Sequence, residues 1–532
     1  MKDSKRIVFL RKIVALIVGA TLCICAMDNM SSFTLKTKAA GNVISLTASI
    51  AGKNVVIKAN VGTVPSNSDG QYHLYAQDVF ESGTMGKQVA TQAAAKTATF
   101  TVPLAKNSAG SMLYKKFVVL VNQNGNLVPA SNAAYITNPE GCATHTVARM
   151  NVGKKGIIPA SAKLGDNGLK ELGVHQVSYN LLVSHMMNTS QGQITYNYNG
   201  KTYHFSKGLI GAYDNLMNWF KSSNVQVTLI ILNDWQNNQV TIHPWSRAGA
   251  GAYYYAFNAA DGDGTGYLAA IGSFLASRYA GKVDNFIIGN EINARQEWNY
   301  MSPVDVNTYA VQTANAFRVF YNAIKSENGN AKVYLPLDQQ WASSSSAAKY
   351  YSGLSYLNAF NSYISAEGNI DWDLAFHPYN VPLTSPYSWA NSAKYVNHTI
   401  NTRFIAMQNI DVLTDYMGSP QFLNPKGQIR SVLCSEVGYT SSAGEAVQAA
   451  SIVYAYQQAA ANQHIDGFIL NRQMDDATEI AQGLATGLMQ TNGAHKMSFD
   501  YYKNIDTANG QQYINAASSI IGADLNSLLI RR

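Results

Sequence analysis

The chain has 532 residues, 47% hydrophobic and only 13% charged, a composition that excludes a disordered chain and a solvated coiled coil. The formal net charge is +7, and more than half of it comes from Lys2, Lys5, Arg6, Arg11 and Lys12 set against Asp3. No comparable basic run follows, which excludes the electrostatic footprint of a nucleic-acid-binding surface.

Those basic residues precede an uncharged apolar run from Ile13 to Ala26, a length that suits the core of a signal peptide better than a membrane span. Residues 1–40 are therefore expected to be a leader, cleaved near Ala26 or Ala39, and the protein to be secreted or held at the cell surface. A single uncleaved anchor is the alternative. Two of the four cysteines, Cys23 and Cys25, fall in this leader; the remaining pair, Cys142 and Cys434, is no disulfide framework and resembles no zinc site.

Residues 41–139 alternate apolar and polar positions with period two, as in NVISLTASIAGKNVVIKANV and YKKFVVLVNQNGNLVPASNAAYIT. This pattern predicts short antiparallel strands, with a hairpin at Asn124-Gly125. A small β-sandwich of immunoglobulin or fibronectin type follows, serving either as a packing domain or as a carbohydrate-binding module.

From residue 140 to residue 532 the rhythm changes to apolar runs alternating with amphipathic helical stretches, the mark of βα units. Eight runs are predicted as strands, at 147–159, 174–183, 225–234, 283–291, 332–338, 372–380, 431–439 and 465–473. Eight such units close a (β/α)₈ barrel. Long loops at 184–207, 235–266 and 339–357 follow the second, third and fifth runs and are expected on the face where barrel enzymes keep their sites.

A charged residue at the C-terminal tip of a barrel strand is explained poorly by packing and well by catalysis. The fourth run ends FIIGNEIN, with Asn290 and Glu291, and the seventh ends VLCSEVGY, with Glu436. Two carboxylates facing each other across a barrel mouth can cleave a glycosidic bond, one protonating the departing oxygen and the other attacking the anomeric carbon or activating water.

These motifs resemble glycoside hydrolase clan A, the retaining (β/α)₈ glycosidases, in which an Asn-Glu pair ends strand four and a Glu ends strand seven. The resemblance implies that Glu291 is the general acid/base, that Asn290 holds a sugar hydroxyl, and that Glu436 is the nucleophile. His377-Pro378-Tyr379 looks like that clan's His-x-Tyr pattern at strand six, which implies that Tyr379 hydrogen-bonds Glu436 and that His377 lines the sugar site. The chain departs from the clan at strand two, where Val177-Ser178-Tyr179-Asn180 replaces an Arg, and at strand eight, where Asn471-Arg472-Gln473 replaces a Trp. With its GNEIN, HPYN, SEVG and NRQMDDATE segments, residues 140–520 look more like a family of secreted bacterial proteins known only as a domain of unknown function.

Aromatic faces cover the apolar faces of pyranose rings, and Trp235, Trp341 and Tyr439 follow strands three, five and seven as candidate platforms. Trp245, Trp298 and Trp389 lie in neighbouring loops. Arg472, Asp475 and Glu479 form a charged group after strand eight, which would either contact substrate or brace its own loop. Asp261-Gly-Asp263-Gly-Thr-Gly reads either as a partial calcium loop or, more simply, as a turn before a helix. No zinc-peptidase, serine-esterase or phosphate-loop signature occurs.

The expected function is that of a secreted retaining glycosidase acting on a glycan or polysaccharide, with no cofactor and no metal. Its expected partner is carbohydrate, with no nucleic acid and no membrane beyond an uncleaved leader. Two alternatives stay open: a catalytically silent glycan-binding surface protein, and a transglycosylase using the same residues.

Overall fold

The computed structural model describes residues 43–166, 168–248 and 251–532. The leader, with Cys23 and Cys25, lies outside the described residues. Cys142 and Cys434 are both free thiols. Among the described residues no helix is long and apolar enough to cross a membrane.

Period-two patterning builds two antiparallel sheets near the N-terminus. One joins Ser45–Ala51, Asn54–Asn60 and Thr97–Pro103; the other joins Lys87–Ala93, Gln71–Gln77, Lys116–Gln123 and Asn126–Pro129, with Ala134–Tyr135 paired to the edge of Lys116–Gln123. The burial of Ser45–Ala51 alternates residue by residue, so one face of each sheet supplies the core between them. The hairpin lies where the sequence puts it, with Asn124 at φ 52° and Gly125 at φ 89°, the left-handed pair that matches strand twist.

Eight parallel strands then close a barrel: Lys155–Ile157, Gln176–Leu182, Gln226–Leu232, Asn285–Ile288, Lys332–Asp338, Asp373–His377, Val432–Val437 and Ile465–Leu470. The last strand pairs back to the first. All eight predicted strands exist: the fifth keeps its predicted bounds, the others are shorter, and the first shrinks to three residues. Every residue of Gln226–Leu232 is buried, because a barrel strand meets side chains in the lumen on one face and helices on the other. Ile230, Leu232, Ile287, Tyr334, Ala375, Leu433 and Ile469 fill the lumen, so the barrel is a packed core and its chemistry is confined to the mouth.

The sandwich docks away from that mouth. Asn322 donates to the Leu113 carbonyl at 2.9 Å, and Lys106 donates to the Ser326 carbonyl at 2.7 Å while pairing with Glu327 at 3.2 Å. Ser326 and Glu327 end the helix Val306–Glu327, and helix C-termini lie at the end of a β/α barrel opposite the strand tips. The loop after strand two also meets the sandwich. It folds into a hairpin, Gln193–Tyr198 with Lys201–Ser206, whose Tyr196 hydroxyl meets Ser273 at 2.8 Å and whose Tyr198 hydroxyl meets that of Tyr114 in the sandwich. The hairpin thus packs on both the helical layer and the sandwich, and Lys201 pairs with Asp263 at 2.8 Å.

Candidate active site

Strand four stops at Ile288, and the chain then turns through Gly289 at φ 86° to Glu291 at φ 38°. A left-handed conformation is uncommon for glutamate and has to be held by its surroundings. The Ile292 N–H donates to the Pro336 carbonyl at 3.0 Å, tying the turn to strand five. Glu291 thus reaches the mouth three residues beyond its strand. Its Oε1 lies 2.8 Å from Nδ1 of His377, the last residue of strand six.

Glu436 belongs to strand seven itself, where pairing with strand eight slips between Cys434 and Val437. Such a bulge re-aims side chains. The glycine of SEVG is required by close approach: a Cβ on Gly438 would strike the Asn471 carbonyl oxygen. The Tyr379 hydroxyl donates to Glu436 Oε1 at 2.6 Å, and Asn471 Nδ2 donates to the Tyr379 oxygen at 3.0 Å, with a longer approach to Glu436 of 3.5 Å. His377 and Tyr379 therefore serve one glutamate each.

The electrostatics follow from burial and neighbouring charge. Burial opposes a charge on His377, but the Glu436, Glu291 and Asp338 carboxylates outweigh it and raise the His377 pKa above the ordinary value. Burial and the Glu436 charge push the Tyr379 hydroxyl well up, so it stays a proton donor at physiological pH. The Tyr254 hydroxyl is pushed up to about 12 by burial, then by Glu436 and Asp234.

The structure also brings in residues that the sequence reading passed over. Asp338 ends strand five and is 4% exposed. It accepts from the Gln340 backbone at 2.9 Å, from Gln340 Nε2 at 2.7 Å, and from Asn293. Burial and the Glu291 charge raise its pKa to about 7 against those donors. The signal was present in KVYLPLD, an apolar run ending in an acid, the same criterion that selects Glu291 and Glu436. Asn471 carried no comparable signal, because its role depends on where Tyr379 comes to lie.

Of the candidate platforms, Trp235 is 43% exposed beside Tyr255. Trp341 and Tyr439 are fully buried and present no face to a sugar. Trp341 packs edge-on against Tyr416 and donates its indole N–H to the Ile400 carbonyl at 3.0 Å. In the neighbouring loops, Trp298 stacks on Tyr253 at 4.4 Å, Trp245 is exposed, and Trp389 is half-buried. Asn290 is half-buried beside Glu291.

The charged group after strand eight divides in two. Arg472 pairs with Glu479 at 3.1 Å and with Asp476 at 3.7 Å, while Asp475 pairs with Lys496 at 2.7 Å. Asp261 caps the helix Gly262–Arg278 by accepting from the Gly264 N–H at 2.7 Å and also accepts from Asn258 at 2.8 Å. That is the plain-turn reading of its motif.

Residues 147–528 match the Family of unknown function (DUF5722). The chain belongs to that family. No curated protein matches it. Similar solved structures include a family 39 glycoside hydrolase from the gut symbiont Bacteroides cellulosilyticus WH2, 12% identical over 88% of this chain and 83% of that one, with a TM-score of 0.47. A Ruminococcus gnavus β-glucuronidase is 10% identical over 87% and 67%, with a TM-score of 0.37. A hyperthermophilic β-glucosidase from Pyrococcus furiosus is 12% identical over 68% and 86%, with a TM-score of 0.44. At these identities and TM-scores they assign no residue a role here.

Proposed function

We propose that this protein is a secreted retaining glycosidase acting on a glycan or polysaccharide. The observation that carries the reading is the pair of mouth glutamates held by one His-Pro-Tyr segment, His377 on Glu291 and Tyr379 on Glu436. In the first step a free oxygen of Glu436 attacks the anomeric carbon and the glycosidic C–O bond breaks. The leaving oxygen takes a proton from Glu291. In the second step water attacks the glycosyl-enzyme, Glu291 takes the water's proton, and the sugar leaves with its configuration retained while Glu436 is freed. The hydroxyl of Tyr379 engages one oxygen of Glu436, which orients the other. Trp235 stacks on a sugar ring, and Asn290 holds a sugar hydroxyl. Export rests on the basic and apolar pattern of residues 1–26.

The test is release of reducing ends from a panel of plant, fungal and bacterial polysaccharides, with Glu436→Ala beside the wild type. Labelling by a 2-fluoro glycoside of the responsive sugar should add one sugar mass to the peptide carrying Glu436. Equal activity in Glu436→Ala would refute the assignment, and labelling of a peptide carrying another carboxylate would refute the nucleophile. Binding without cleavage by both proteins would favour the glycan-binding alternative.

A further inference from the structure

Asp338 belongs to neither half of the glutamate pair, yet it is the most enclosed carboxylate at the mouth. Its backbone N–H donates to Asn293 Oδ1 at 3.0 Å, and Asn293 Nδ2 donates back to its Oδ1. Asn293 is fully buried and follows Glu291 by two residues. This reciprocal clasp joins the tip of strand five to the turn that carries Glu291 in its left-handed conformation. On the other side, Asp338 is the register partner of His377, whose Nδ1 holds Glu291 Oε1.

We propose that Asp338 is a positioning residue for Glu291: it clasps the Glu291 turn through Asn293 and sets a second carboxyl group against Glu291. The proposal rests on the reading of Glu291 as acid/base.

The clasp alone does not require an acid. In Asp338→Asn the retained Oδ1 still accepts from Asn293 and from the Gln340 backbone, so only the bond from Gln340 Nε2 is lost. What the variant removes is charge. Two nearby carboxyl groups in a buried site disfavour double ionisation, and the rise of Asp338 to about 7, caused by burial and by Glu291, agrees with that arrangement. The other groups facing the pair are His377, Tyr350, with Glu297 against it, and, across the mouth, Glu436 and Tyr379. His377 Nδ1 lies 2.8 Å from Glu291 Oε1, and burial lowers its pKa while the surrounding carboxylates raise it.

Two measurements test the proposal. In Asp338→Asn the alkaline limb of kcat/KM should move down by roughly one pH unit, while Asn293→Ala should lower kcat at every pH and leave the limb in place. A limb that stays put in Asp338→Asn overturns the proposal. The second measurement needs no activity: carboxyl ¹³C NMR of aspartate-labelled protein follows Asp338, identified by its absence in Asp338→Asn. In Glu291→Gln the Asp338 midpoint should fall by roughly one pH unit, and an unchanged midpoint overturns the charge coupling. A moved midpoint in a protein that cleaves no glycan would sink the glycosidase reading and leave the Asp338–Glu291 pairing standing.

Discussion

Replacing Lys496 by methionine removes the cation from a buried pair that holds the segment after strand eight. Lys496 and Asp475 expose 3% and 6% of their side chains and lie 2.7 Å apart. Lys496 also donates to Ser441 Oγ and to the Ala485 carbonyl, each at 3.1 Å. Breaking one side of such a pair costs about 3 to 5 kcal/mol, because a charge is left buried and uncompensated. The low end, about 3 kcal/mol, applies here, since the Gly487 N–H still donates to Asp475 at 2.8 Å. Urea unfolding followed by tryptophan fluorescence measures this directly, because all seven tryptophans lie between positions 219 and 389, within the barrel. The expected result is a lower midpoint at pH 7. The Lys496→Met/Asp475→Asn double variant should lose less than the single one. Equal losses in the two variants would refute the stranded-charge reasoning.

Tyr379→Phe should lower kcat/KM by about tenfold or more, because a hydrogen bond to a charged group is worth about 1.5 to 3 kcal/mol; steady-state kinetics showing less than a twofold change would remove Tyr379 from the mechanism. Trp341→Ala should cost about 3 to 5 kcal/mol of stability as a core truncation, whereas Trp235→Ala should raise KM and leave the urea midpoint unmoved; the reverse pattern would exchange their roles. His377 has a folded pKa above its unfolded value, so its charge stabilises the fold fully below about pH 6.5 and ceases to do so as pH rises through the folded value. The wild-type advantage over His377→Gln in urea midpoint should shrink with rising pH, and an advantage that grows would contradict the sign.

The barrel was legible because strands buried on both faces must be continuous apolar runs, and residues 225–234 or 465–473 read as little else. The strand near residue 155 was the faintest, because Lys154, Lys155 and Gly156 interrupt it. Lys155 is nevertheless buried, held by Asp506 and the Lys503 carbonyl, partners some 350 residues away. Trp341 and Tyr439 follow their strands just as Trp235 does, and local sequence carries no sign that Ile400 and Tyr416 cover one of them. Asp338 could have been recognised by its position at a strand tip. Its clasp with Asn293 could not, because neighbouring strands meet only when the barrel closes.

Local sequence therefore determined the alternation of strands and helices and which residues stand at strand tips, since both follow from the apolar period and the points where it stops. Tertiary structure decided which tips are clasped together, which aromatic rings meet solvent and which charges pair. Those properties depend on side-chain direction and on neighbours distant in the chain, and the closure of eight strands into one ring is what makes them neighbours.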